Sequence, residues 1–170
     1  PWRYSAEITG GGICIDGGLH KIRPLRMWLG EIDEVIAMLG YPFEPMEGES
    51  LAHALFRFKS GKIASYGAVI GDAVDGVSEE FSIIGTDGTI VIEQGNEGRC
   101  LLYNRDAPEG RNVLPEGKRP DSAYGLELAD FAKAVLEGSE PAASPEESLG
   151  ELRAVLAMYR SASSRQWEKV

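Results

Sequence analysis

The sequence predicts an α+β fold, a mainly antiparallel open sheet with helices packed on one of its faces. Three observations carry this. Segments with a two-residue hydrophobic period are joined by tight-turn signals. Later segments switch to helical spacing. The two patterns come in runs rather than in the regular alternation that a parallel βαβ sheet requires.

Residues Leu51 to Phe58 alternate, with Ala52, Ala54, Phe56 and Phe58 on one face and Leu51, His53, Leu55 and Arg57 on the other. Ser60-Gly61 then turns the chain into Lys62 to Val69. Helices can cover only one of these faces, so the other is expected to meet a second copy of the chain. Phe81 to Gly85 and Thr89 to Ile92 are β-branched runs joined through Thr86-Asp87-Gly88, where Asp-Gly is expected to supply a positive φ. Cys100 to Tyr103 adds a strand. From Asp106 to Asp121, Pro108, Pro115, Pro120, Gly110 and Gly117 among charges predict an ordered surface loop.

Tyr124, Leu128, Phe131 and Val135 fall at helical spacing and Gly138 follows the last turn, predicting an amphipathic helix with a glycine stop. The next helix is signed at its start. Ser144 can cap the first amides, Pro145 fits the first helical position and Glu147 completes a capping box. Leu149, Leu152, Leu156 and Tyr159 are its expected buried stripe.

Gross composition narrows the function classes. At 170 residues with 43% hydrophobic and 26% charged side chains, the chain can bury one real core, and a single substrate-binding and oligomerisation domain over residues 1–170 is expected. The net charge of −10 repels phosphate backbones and anionic lipid, so nucleic acid and membrane surfaces are not expected partners. No apolar stretch reaches the roughly 18 residues a membrane span needs. Cys14 and Cys100 are too few for a disulfide framework, which fits a reduced, cytoplasmic setting. With His20 and His53 the only histidines and no acidic triad at ligand spacing, no metal site is expected. Pro1-Trp2-Arg3 does not read as a translation start, so the domain is expected to be truncated at its N-terminus.

Residues Thr9 to Gly30 hold the strongest functional signal. Gly10-Gly11-Gly12 lets the backbone turn sharply and leaves room for a ligand to approach the main chain, which makes Gly11 and Gly12 candidate substrate contacts. Asp16 and His20 stand four residues apart, on one face of a helix starting here. A carboxylate can bind a substrate hydroxyl while the imidazole accepts its proton, a pairing suited to alcohol oxidation. Helix caps and surface histidines produce the same spacing. Gly10-x-Gly12 with Asp33 downstream also resembles the opening of a dinucleotide fingerprint, but Ile15 replaces the third glycine and no βαβ unit surrounds it.

Taken together, Gly10-Gly11-Gly12, Asp16, Gly18, His20 and Trp28-Leu29-Gly30, preceded by Trp2-Arg3, resemble the start of the substrate domain in the Gfo/Idh/MocA family of glucose-fructose oxidoreductases and inositol dehydrogenases. Phe56-Arg57-Phe58, Ile84 to Thr89, Leu128-Ala129-Asp130-Phe131 and Glu140-Pro141 extend the likeness over nearly the whole chain. The resemblance implies the C-terminal portion of a two-domain dehydrogenase acting on a sugar, cyclitol or related polyol. NAD or NADP would be bound by an N-terminal Rossmann domain that this chain lacks, leaving the fragment inactive by itself. It also implies that Asp16 and His20 contact the reacting hydroxyl, with His20 as general base, and that the chain is a homo-oligomer. A noncatalytic ligand-binding or assembly module of the same fold, or an NAD-dependent glycosidase, would share these motifs. Many family members carry an acidic residue where this chain has Arg23, which can pair with a nearby carboxylate or favour an acidic substrate. Pro24 removes an amide donor to the His20 carbonyl and is expected to kink the helix or delay its start.

Overall fold

The computed structural model describes residues 2–72, 80–93, 98–114 and 123–170, which fall in two compact units, residues 1–74 with 140–170 and residues 75–139. After a 3-10 turn at Trp2–Tyr4, the elements are α1 (Ala6–Thr9), a π-helical segment (Cys14–Gly18), α2 (Leu19–Leu29), β1 (Ile32–Gly40), β2 (Leu51–Phe58) and β3 (Ile63–Val69). There follow β4 (Glu80–Ile84), β5 (Thr89–Glu93), β6 (Arg99–Asn104), β7 (Ala107–Asn112), α3 (Ala123–Glu137), α4 (Pro145–Ser164) and β8 (Glu168–Lys169). The fold is α+β and every described strand pair is antiparallel. Instead of one sheet, the described residues form two of four strands, ordered β3-β2-β1-β8 and β4-β5-β6-β7.

The first unit is built on the alternation read from Leu51 to Phe58. Ala52, Ala54, Phe56 and Phe58 are buried and share one core with Val35, Ala37, Ile22 and Cys14 and with Ala154, Val155, Ala157 and Met158 of α4. Each large apolar side chain so buried contributes about 1.5–3 kcal/mol. The other face of β2 is solvent-exposed at His53, Leu55 and Arg57. Gly61 takes φ +80° in the β2–β3 turn, and its amide donates to the Phe58 carbonyl.

The α4 start forms as its sequence directs, with Ser144 accepting from the Glu147 amide and Pro145 opening the helix. Its buried stripe is different. Gly150, Glu151, Ala154, Val155, Ala157, Met158 and Ser161 face inward, whereas Leu149 and Leu156 are exposed. The small residues let α4 approach the sheet closely, and the larger leucines rotate to the flank. The Gly138 stop is as expected, at φ +69° with its amide on the Ala134 carbonyl.

Two further features depart from the sequence reading, which assigned no strand to Ile32–Gly40, where a bulge between Ile32 and Glu34 breaks the two-residue period of β1. Within the expected Asp106–Asp121 loop, Ala107–Asn112 forms β7; residues 115–121 lie outside the described residues. Pro108 is tolerated there because β7 is an edge strand, and the Asn104 side chain accepts the Asp106 and Ala107 amides to make the turn into it. Finally, Gly88 does not have a positive φ. Its missing Cβ leaves room for the Tyr103 carbonyl of the neighbouring strand.

Candidate active site

The glycine run turns the chain from α1 into the helical stretch that carries Asp16 and His20. Gly10 ends α1 in the left-handed conformation at φ +79°. Gly12 then lies against the main chain of Glu49, and a Cβ at Gly12 would occupy the space of the Glu49 backbone. At Gly11 the ring of Tyr159 fills the corresponding space, and Gly48 is equally crowded by the main chain of Gly11 and Gly12. The close approach anticipated for a ligand is made here by the protein itself.

Glu49 is the anchor of this turn. It is 2% exposed, and its carboxylate accepts from the Gly12 amide at 2.9 Å, the Cys14 amide at 2.9 Å and the Tyr159 hydroxyl at 3.0 Å. The Ile13 amide donates to the Glu49 carbonyl at 2.8 Å. A helix start presents unpaired amides and a partial positive charge, and here an internal carboxylate meets both. These amides are therefore not offered to a dinucleotide pyrophosphate, and no strand–glycine loop–helix unit surrounds them.

Asp16 sits in the π-helical segment and His20 one turn later in the first turn of α2. π-segments within helices recur at functional sites because they widen the turn and redirect side chains. The structure adds a partner that the residue spacing could not reveal. One guanidinium nitrogen of Arg3 donates to both oxygens of Asp16, at 2.7 and 2.9 Å, in a surface ion pair. His20 is exposed. Pro24 neither ends nor delays the helix, standing inside α2.

Arg23 faces α4. Its guanidinium donates to the Ala142 carbonyl at 2.8 Å and to Glu147 at 3.2 Å, with Glu151 at 3.7 Å. Neighbouring Arg26 pairs with Glu31 and the buried Glu151, and donates to the Glu147 carbonyl. The two arginines tie α2 to the first turns of α4, which is the structural alternative for Arg23. Gly150 leaves space for the Arg26 guanidinium. Asp33 pairs with Lys169 at 2.8 Å.

Cys14 and Tyr159 border the Glu49 carboxylate. Burial first, and then the Glu49 charge, push the Cys14 thiol well above its ordinary value of 9.0 and the Tyr159 phenol well above 10.0. Because both folded values are raised, the unfolded chain releases these protons first. The stability they lend is whole below about pH 8.5 and declines as pH rises above it. Cys14 is also expected to resist a thiol reagent at pH 8, since the thiolate is the nucleophile, while the half-buried Cys100 reacts. A burst of one thiol per chain, followed by a second phase at the unfolding rate, checks this; two fast thiols would contradict it.

Beside this turn lies a cavity of about 890 Å³, lined among others by Gly11, Ala37, Leu39, Glu49 and Tyr159. Among the described residues no group of three or more His, Cys, Asp or Glu side chains could hold a metal ion, and no helix is long and apolar enough to cross a membrane.

The arrangement defines a domain class, an α+β module presenting an Asp–His helical turn, and comparison with known proteins places it. The profile described as "Oxidoreductase family, C-terminal alpha/beta domain" (GFO_IDH_MocA_C) matches residues 1–170. The chain belongs to this family. It is 30% identical over 173 residues to 1,5-anhydro-D-fructose reductase of Ensifer adhaerens, covering 97% of this chain and 49% of that protein. Among solved structures, levoglucosan dehydrogenase in complex with NADH superposes with a TM-score of 0.85 at 25% identity, over 100% of this chain and 53% of the other. The fold is shared too with the aldose-aldose oxidoreductase of Caulobacter crescentus complexed with glycerol, with a TM-score of 0.85 at 22% identity over 100% of this chain and 51% of the other. This chain thus spans about half the length of the relatives it matches.

Proposed function

We propose that this chain is the substrate-binding half of an NAD(P)-dependent oxidoreductase acting on a sugar, cyclitol or related polyol, with His20 as general base and Asp16 binding the reacting hydroxyl. The observation that carries the reading is the placement of the family motif. Asp16 and His20 follow one another on a single helical run, with the carboxylate paired with Arg3 and the imidazole open to solvent. The sugar-acting relatives support the substrate class.

In this reading Asp16, paired with Arg3, fixes the direction of the substrate hydroxyl, and the neutral His20 ring takes its proton as the carbon is oxidised. NAD or NADP, held by the nucleotide-binding half, supplies the hydride acceptor. Gly11 and Gly12 act by giving the turn its shape, and Arg23 is left out of the substrate contacts because its donors serve α4. Joined to a nucleotide-binding half, the chain is expected to support polyol-dependent formation of NADH or NADPH at 340 nm. By itself it is expected to bind NADH negligibly. Low-micromolar NADH affinity of the isolated chain in calorimetry would overturn the assignment.

The same reading includes self-association through the open face of the first sheet. Met38, Leu55, Ile63 and Val69 are exposed there, at 74%, 52%, 77% and 49%, on the face opposite α4. A cluster of this kind on three adjacent strands is the surface a second copy would cover. Sedimentation at tens of micromolar is expected to show a dimer or larger species, which Leu55→Lys disperses. A monomer throughout that range would sink this part of the proposal.

A further inference from the structure

Three consecutive amides converge on Glu49. Gly12 and Cys14 donate to its carboxylate at 2.9 Å each, and Ile13, between them, donates to its carbonyl at 2.8 Å. The peptide joining Gly12 to Ile13 is a rigid trans plane in which C=O and N–H point opposite ways. Fixing the Ile13 N–H on Glu49 therefore aims the Gly12 carbonyl away from it, and that carbonyl accepts the Asp16 amide at 3.1 Å. The π-helical segment that carries Asp16 also starts at Cys14, whose amide is one of the three. The main chain of Asp16 thus hangs from a seat that one buried residue defines.

The Asp16 side chain offers no comparable anchor, since its ion pair with Arg3 lies at the surface, where such pairs contribute little. We propose, on the hydroxyl-binding role given to Asp16 above, that Glu49 is its positioning residue, fixing through Gly12 where the Asp16 carboxylate meets the substrate hydroxyl. Glu49 touches no substrate in this role. Its carboxylate acts on the main chain four residues before Asp16, and a misplacement of about 1 Å in a group that orients the substrate costs on the order of 100-fold in rate. A clamp on rigid peptide planes supplies that precision where a surface ion pair does not.

Glu49→Gln in the two-domain protein tests this, because the carboxamide keeps the shape but turns an N–H donor toward the Gly12 amide. Assayed well below its Tm, the variant is expected to lower kcat/KM for polyol oxidation by about 10-fold to 100-fold, chiefly through KM, while the acid limb due to His20 remains. Tyr159→Phe removes one donor from the same carboxylate yet leaves the Gly12, Ile13 and Cys14 amides on Glu49, so it is expected to lower Tm with parental kcat/KM. Combined with Asp16→Asn, Glu49→Gln is expected to add no further loss, since both act at one contact. Parental kcat/KM in Glu49→Gln beside an impaired His20→Asn, or losses that multiply in the double variant, would overturn the positioning role and leave the proposed function intact. Parental kcat/KM in Glu49→Gln, Asp16→Asn and His20→Asn alike would strike at the hydroxyl-binding site itself, and the positioning role with it. Should Glu49→Gln fail to fold, amide exchange in the parent protein gives the answer. The Asp16 amide is expected to exchange within about tenfold of the Gly12 and Cys14 amides, and exchange of Asp16 faster than that would overturn the clamp.

Discussion

Glu49→Ala is expected to cost about 3–5 kcal/mol of stability, lowering Tm by on the order of 10 °C for a chain of this size. The Gly12 and Cys14 amides and the Tyr159 hydroxyl would all lose their acceptor in a buried setting. Each such orphan costs about 1–3 kcal/mol, and water entering from the adjoining cavity offsets part of the sum. Glu49→Gln should be milder. The carboxamide oxygen can keep Cys14 and Tyr159, but its NH2 then faces the Gly12 N–H, donor against donor, at a cost of about 1–2 kcal/mol. Thermal unfolding of the two variants beside the parent chain measures the difference. A loss below 1 kcal/mol in Glu49→Ala would show that the turn is held by packing of the glycines alone.

In the two-domain protein, His20→Asn is expected to lower kcat/KM for polyol oxidation by about 100-fold to 10,000-fold, the usual range for loss of a general base. Fold and thermal stability should be unaffected, because His20 is exposed on the first turn of α2. The pH profile separates a base from a bystander. Activity of the parent should fall on the acid side, where the imidazole is protonated and cannot accept the hydroxyl proton, and this limb should vanish in the variant. Asp16→Asn should raise KM more than it lowers kcat. It also releases Arg3 from its ion pair, so the carboxylate and its partner are lost together. Near-parental kcat/KM for His20→Asn from pH 5 to 9 would make His20 only a helix-start residue.

Much of this was legible because it depends on neighbours in sequence. The β2–β3 hairpin follows from strict alternation and one glycine at positive φ. The α4 start follows from Ser144, Pro145 and Glu147 within four positions. The Asp16–His20 turn and its family likeness lie within one short segment. What sequence misread was each case where a distant partner reset a local preference. On α4, Tyr159 packs against the core as expected, but Leu149 and Leu156 yield the inward face to Gly150, Ala154 and Ala157 because closeness to the sheet outweighed side-chain size. Pro108 entered a strand because an edge needs no amide from it. For Arg23 the sequence left two readings open, and its contacts with Glu147 and Glu151, more than a hundred residues on, are those of a structural partner.

The sequence by itself therefore determined the class of fold, the family and the two residues proposed to handle the hydroxyl, since hydrophobic period, turn chemistry and motif spacing are written in consecutive residues. The tertiary structure alone decided what holds those residues in place. Arg3 reaches Asp16 across 13 positions, and Glu49 reaches Gly12 across 37 and Tyr159 across 110. No local pattern marks such pairs, because a buried carboxylate is stable only when folding brings several donors to it at once.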